Sequence, residues 1–149
     1  MKLFQIEEPD GGPADPTAAG ASIGIDASSA EIEVAFSVGG NAVILTDRDG
    51  FERAMPVPEM MAGKLEWQQV FEAARSRAER ALARPVTHAV IALGRTPNSD
   101  TANTLRDAAE GAGLVALRLV AVTELSAASA PAFVAAMLAE DLTPQARDP

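Results

Sequence analysis

Pro85-Val86-Thr87-His88-Ala89-Val90-Ile91-Ala92-Leu93 opens on a helix breaker and closes on five apolar residues in a row. From Ala89 to Leu93 no position is polar, so the run reads as a strand buried on both faces. Strands of that kind sit inside parallel sheets with helices on the faces. Upstream, Leu65 to Ala83 has helical periodicity, with Trp67, Phe71, Ala74, Ala78, Ala81 and Leu82 on one stripe. Pro85 ends that helix. Downstream, Ser99 or Asp100 is placed to cap a helix running to Glu110, and Gly111 and Gly113 supply its stop. Leu114 to Val122 reads as a second buried strand. A last helix is expected from about Glu124 to Leu142, interrupted at Pro131.

Toward the start of the chain the signals change to those of hairpins. Ala21 to Asp26 is a short apolar strand. Glu31 to Val38 alternates, with Ile32, Val34, Phe36 and Val38 on one face and Glu31, Glu33, Ala35 and Ser37 on the other. The pattern predicts a half-buried strand. Gly39-Gly40-Asn41 is a hairpin turn, and Ala42 to Leu45 is the returning strand. Asp47 to Gly50 is a further turn, and a short edge strand is expected near Phe51 to Met55, stopped by Pro56 and Pro58. Three antiparallel strands followed by helix, strand, helix, strand, helix predict an α/β fold. It would be a five-stranded mixed sheet with helices on its faces, laid out as in ribonuclease H-like proteins. Residues 1–20, rich in proline and glycine, read as a flexible arm. Residues 21–142 read as one folded unit, and residues 143–149 as a tail.

Bulk composition narrows the function classes. The chain has 149 residues, 48% of them hydrophobic, which suits one domain with a core. Its net charge of -9 repels a phosphate backbone, so nucleic acid is not an expected partner. Arg75, Arg77, Arg80 and Arg84 cluster, but Glu72 and Glu79 lie among them, which reads as a solvated helix face. With no cysteine, disulfides and thiolate metal sites are excluded. No signal peptide and no membrane span are legible, and a cytoplasmic location is expected.

The strand at Pro85 also carries a resemblance. Pro85-Val86-Thr87-His88-Ala89-Val90-Ile91 is similar to the P-V-T-N-A-V-I strand of the seventy-kilodalton heat-shock chaperones. Arg106-Asp107-Ala108-Ala109-Glu110-Gly111-Ala112-Gly113-Leu114 is close to that family's K-D-A-G-x-I-A-G-L, and Leu117-Arg118-Leu119-Val120 to its L-R-I-I. Gly24-Ile25-Asp26 looks like the start of the first phosphate loop, G-I-D-L-G-T-T, and Thr123 to Ser129 is similar to N-E-P-T-A-A-A. The resemblance implies the first subdomain of an actin-like ATPase lobe. By it, Asp26 and Glu124 hold the acidic places near a magnesium ion. Ser28 and Ser29 stand in the phosphate loop.

The same comparison shows what is missing. Ser28 replaces a glycine that lets backbone approach phosphate, and Ala30 has lost a hydroxyl. No counterpart of the phosphate-contacting lysine is found, since Lys64 lies in an unrelated context. The second phosphate loop, D-x-G-G-G-T, is absent from the sequence. ATP hydrolysis needs a phosphate cradle, a metal and a facing cation. The expectation is therefore a non-catalytic binding or regulatory module, related to chaperones, with no ATPase activity. It would have no cofactor beyond weak Mg-ATP or Mg-ADP at Asp26, Ser28, Ser29 and Glu124. The alternative is an ATP-binding chaperone component completed by self-association or by a second chain. Either way the expected partner is a protein or another copy. His88 and Trp67 read as structural, Gly94 to Pro97 as a turn, and the segment Met55 to Met61 as an adaptable cover or contact.

Overall fold

A computed structural model describes residues 20–45, 55–125 and 130–142. The element order is β1 (Ala21–Ala27), β2 (Glu33–Val38), β3 (Asn41–Ile44), α1 (Lys64–Leu82), β4 (Val86–Leu93), α2 (Ser99–Gly111), β5 (Val115–Ala121) and α3 (Pro131–Leu142), with a short 3-10 turn at Val122–Glu124. The fold is α/β, and the five strands form one open mixed sheet in the order β3-β2-β1-β4-β5. The hairpin strands pair antiparallel, with Ile25 opposite Val34 and Phe36 opposite Val43. β4 joins β1 in parallel, Ile25 beside Ile91, and β5 joins β4 in parallel, Ile91 beside Leu119. The expected arm, the Asp47 to Gly50 turn, most of the Phe51 to Met55 strand and the tail lie outside the described residues.

Alternation along the strands decides which helix each residue meets. Ile23, Ile25, Val34, Ala89 and Ile91 point into a core with Trp67 and Phe71 of α1 and Leu105 of α2. The two aromatic rings stack at a tilt, 5.7 Å between centroids. Val90, Ala92 and Ala35 point the other way, against Ala132, Ala135, Ala136 and Ala139 of α3. The interface on this side is made almost wholly of small residues. Gly24 faces α3 so closely that an added Cβ would stand 2.3 Å from Ala136 N, 2.7 Å from Ala135 C and 2.8 Å from Ala132 O. Glycine at this position lets the helix backbone rest directly on the strand.

Several expectations need correction. Ala35 and Ser37, assigned to the open side of β2, are buried because α3 crosses that side, whereas Val38 is 59% exposed. β5 is an edge strand and is buried only at its end, from Val120 to Ala121. Its register slips between the Ala89–Ala116 and Val90–Arg118 pairs, so a bulge and an arginine interrupt the exposed edge. Those devices discourage edge-to-edge pairing. Arg77 is no solvated residue. It is 8% exposed and belongs to the buried side of α1 with Trp67, Phe71, Ala74 and Ala78. Helix α2 is capped by Asn98, whose Oδ1 accepts from Thr101 N at 2.8 Å, and not by Ser99 or Asp100. Pro131 does not interrupt the last helix but begins it, where a missing N–H costs nothing.

Candidate functional site

In an open sheet with parallel strands, ligands are met beyond the carboxyl ends of those strands. Here that edge is formed by the ends of β1, β4 and β5, and three of the four predicted site residues cluster there around β1. Asp26 is the next-to-last residue of β1 and is 4% exposed. Its Oδ1 accepts the N–H of Ser28 at 2.9 Å and the hydroxyl of the same serine. The carboxylate therefore folds the chain back on itself as it leaves the strand. Ser29 follows, exposed.

Glu124 leaves the sheet from a different place. It sits three residues past β5, and its Oε1 accepts from Ala121 N at 3.1 Å. Asp26 pairs with Ala92, and Ala92 with Val120, so the two acidic residues belong to strands two places apart. That is roughly 10 Å between backbones. Among the described residues no group of three or more histidine, aspartate or glutamate side chains gathers as a metal site.

The segment ahead of α1 covers part of the same edge. Pro56 bridges to Glu31, Ile32 N donates to Met55 O at 2.8 Å, and Val57 N donates to Ala30 O at 3.0 Å. Met55 is buried, and Val57, Met60 and Ala62 pack against the main core, while Met61 is 73% exposed. Between this segment and the start of α2 lies a cleft of about 310 Å³ lined by Met60, Met61, Arg95, Asn98 and Thr101 among others. None of Asp26, Ser28, Ser29 and Glu124 lines it.

No protein-family model matches this chain, and no curated protein matches it.

At the opposite end of the sheet the structure builds a junction that sequence reasoning missed. Gly39 and Gly40 turn with φ of +61° and +84°, which aims both N–H groups outward at one point. Glu140, near the end of α3, receives them at 2.6 Å and 3.1 Å and takes the Ser37 hydroxyl at 2.8 Å. The backbone donor Gly39, then Ser37, then Gly40 hold the Glu140 carboxyl below its ordinary range. Nothing local announces this contact, because the partners lie about a hundred residues apart. His88, also near this end, has its ring Nδ1 2.7 Å from Thr87 Oγ1. Burial pushes its pKa down from the usual histidine value.

Proposed function

We propose that the chain is a degenerate relative of the first subdomain of the heat-shock ATPase lobe, ribonuclease H-like in layout, serving as a non-catalytic binding module. A strand order with an antiparallel hairpin on one side and two parallel crossovers on the other supports the ribonuclease H-like reading. So does the glycine of Gly24-Ile25-Asp26 seated under the last helix.

The observation that carries the loss of nucleotide chemistry is the turn after β1. A phosphate loop works by pointing backbone N–H groups at the ligand. Here the Ser28 N–H and hydroxyl both point back to Asp26. Ser28 brings a Cβ where close backbone approach is needed. Glu124 is engaged with the end of its own strand. A phosphate chain would have to displace these bonds.

Titration calorimetry with Mg-ADP and Mg-ATP at millimolar concentration tests the reading. No saturable heat is expected, and Asp26→Asn should change nothing. Saturable binding abolished by Asp26→Asn and Glu124→Gln would replace this reading with the alternative of an ATP-binding component.

A further inference from the structure

Past the end of β4 the chain turns through Gly94 to Asn98 into α2, and this turn borders the cleft of about 310 Å³ that the segment ahead of α1 closes from the other side. Three of the lining residues bring hydrogen-bond donors. Arg95 is exposed and makes no hydrogen bond or ion pair with a described residue. Asn98 spends its Oδ1 on Thr101 N at 2.8 Å. That bond fixes which way the amide points, and its Nδ2 hydrogens are left without a described partner. Thr101 is 6% exposed, yet among the described residues its hydroxyl meets only Met61 Sδ, at 3.6 Å. A thioether is a weak acceptor, so a buried hydroxyl stands in the cleft nearly unanswered.

The charges around the cleft are one-sided. No acid lines it, although the chain carries 21 acidic residues and a net charge of -9. Asp100 stands in the first turn of α2 but outside the lining. The amino end of α2 adds a field of the sign that an anion prefers. The apolar part of the wall is made of two methionines. Met60 is half-buried and packs against the main core, and Met61 is 73% exposed. Methionine is unbranched and adapts to what it touches, so Met61 is free to leave the Thr101 hydroxyl and lie along a ligand.

We propose that this cleft binds a small monocarboxylate with a short apolar tail. Arg95 takes the carboxylate charge, the Asn98 amide and the Thr101 hydroxyl serve its remaining lone pairs, and Met60 and Met61 cover the tail. One guanidinium balances one negative charge. A phosphate monoester carries about two at pH 7, and the second would go uncompensated on an acidic chain. At about 30 Å³ for a water-sized group, a cleft of 310 Å³ has room for roughly ten non-hydrogen atoms, which suits a six-carbon acid. The inference goes beyond the nucleotide reading and does not rest on it, since none of Asp26, Ser28, Ser29 and Glu124 lines the cleft.

The test titrates the full nitrogen-15-labelled chain with sodium hexanoate and follows the amide chemical shifts. Saturable shifts in the millimolar range are expected, gathered at residues 60–61 and 94–101 and weakening as salt rises. Hexan-1-ol keeps the tail without the charge, and inorganic phosphate keeps the charge without the tail. Each should bind at least fivefold more weakly than hexanoate. Arg95→Gln, at an exposed position, should weaken hexanoate binding about fivefold, and Thr101→Val about threefold, with the amide spectrum away from the cleft unchanged. Arg106→Gln, exposed on the same helix and outside the lining, is the control and should change nothing. Shifts that grow without saturating, or that gather elsewhere, overturn the proposal. So does hexan-1-ol binding as tightly as hexanoate, which would make the cleft merely apolar. Phosphate binding as tightly as hexanoate would make it a general anion site and overturn the assignment to a carboxylate with a tail. Equal binding by the parent and Arg95→Gln would remove the arginine from it.

Discussion

Replacing Gly24 by alanine is expected to loosen the sheet from α3 while leaving the α1–α2 side intact. The new Cβ would meet Ala136 N at 2.3 Å, and two more backbone atoms of the same helix below 3 Å. Ordinary contact begins at 3.4 Å, so the helix must retreat by 3.4 minus 2.3, or 1.1 Å. The obstacles are helix backbone atoms, which cannot rotate away as a side-chain tip would. A gap of that size forfeits a quarter to a half of the dispersion attraction along the interface. Here that interface is the row Ala132, Ala135, Ala136 and Ala139. Overpacking of this kind costs about 1–3 kcal/mol, and the upper end applies because the clash is with backbone. For a chain of this length that corresponds to a fall in Tm of roughly 10 °C. Thermal melts by circular dichroism read the shift. Hydrogen exchange should place it first in the amides of α3. Gly94→Ala is the control, since its Cβ would meet only Ser28 O at 3.7 Å and should move Tm by about 1 °C. If Gly24→Ala melts within about 2 °C of the parent, the close approach of strand and helix is wrong.

Two further outcomes follow from the backbone and from the titrating groups. Ala83 ends α1 with φ of +56°, a left-handed conformation that costs a residue with a Cβ about 1 kcal/mol. Ala83→Gly should therefore raise the urea midpoint, and a lowered midpoint would contradict the cap geometry. Stability should fall on the acid side in two steps. The His88 pKa is lowered, so below about 6.5 the unfolded chain takes up a proton that the folded chain resists, and stability declines as pH drops. The Glu140 pKa is lowered too, so its contribution is full above about 4.5 and is lost as pH falls through its folded value. Urea titrations across pH should show His88→Asn flattening the first step and Glu140→Gln the second. An unchanged profile in both variants would mean that neither group couples to folding.

Local pattern carried much of the architecture. The apolar run at Ala89–Leu93, the hairpin glycines at 39 and 40 and the helical stripe through Trp67 and Phe71 each sit on the element their periodicity announces. Boundaries slipped where several residues of one chemistry adjoin. Asn98, Ser99 and Asp100 can all cap a helix, and only the direction of the chain chooses Asn98. The site was less legible. Asp26 and Ser28 come together because they are two residues apart, a contact within the range of local geometry. The Glu140 junction and the Gly24 contact join segments about a hundred residues apart, and no periodicity reports on those.

By itself the sequence determined the type and order of the described strands and helices, but not every boundary, and that an acidic chain without cysteine builds one mixed sheet. Tertiary structure alone decided which faces are closed. Ala35 and Ser37 are buried because α3 returns to their side, and Val115 and Val38 are exposed because none of the described elements covers them. Secondary structure follows from interactions a few residues apart along the chain. Burial is a property of pairs of elements, set by how many helices a sheet of given width can carry and where the last one crosses it.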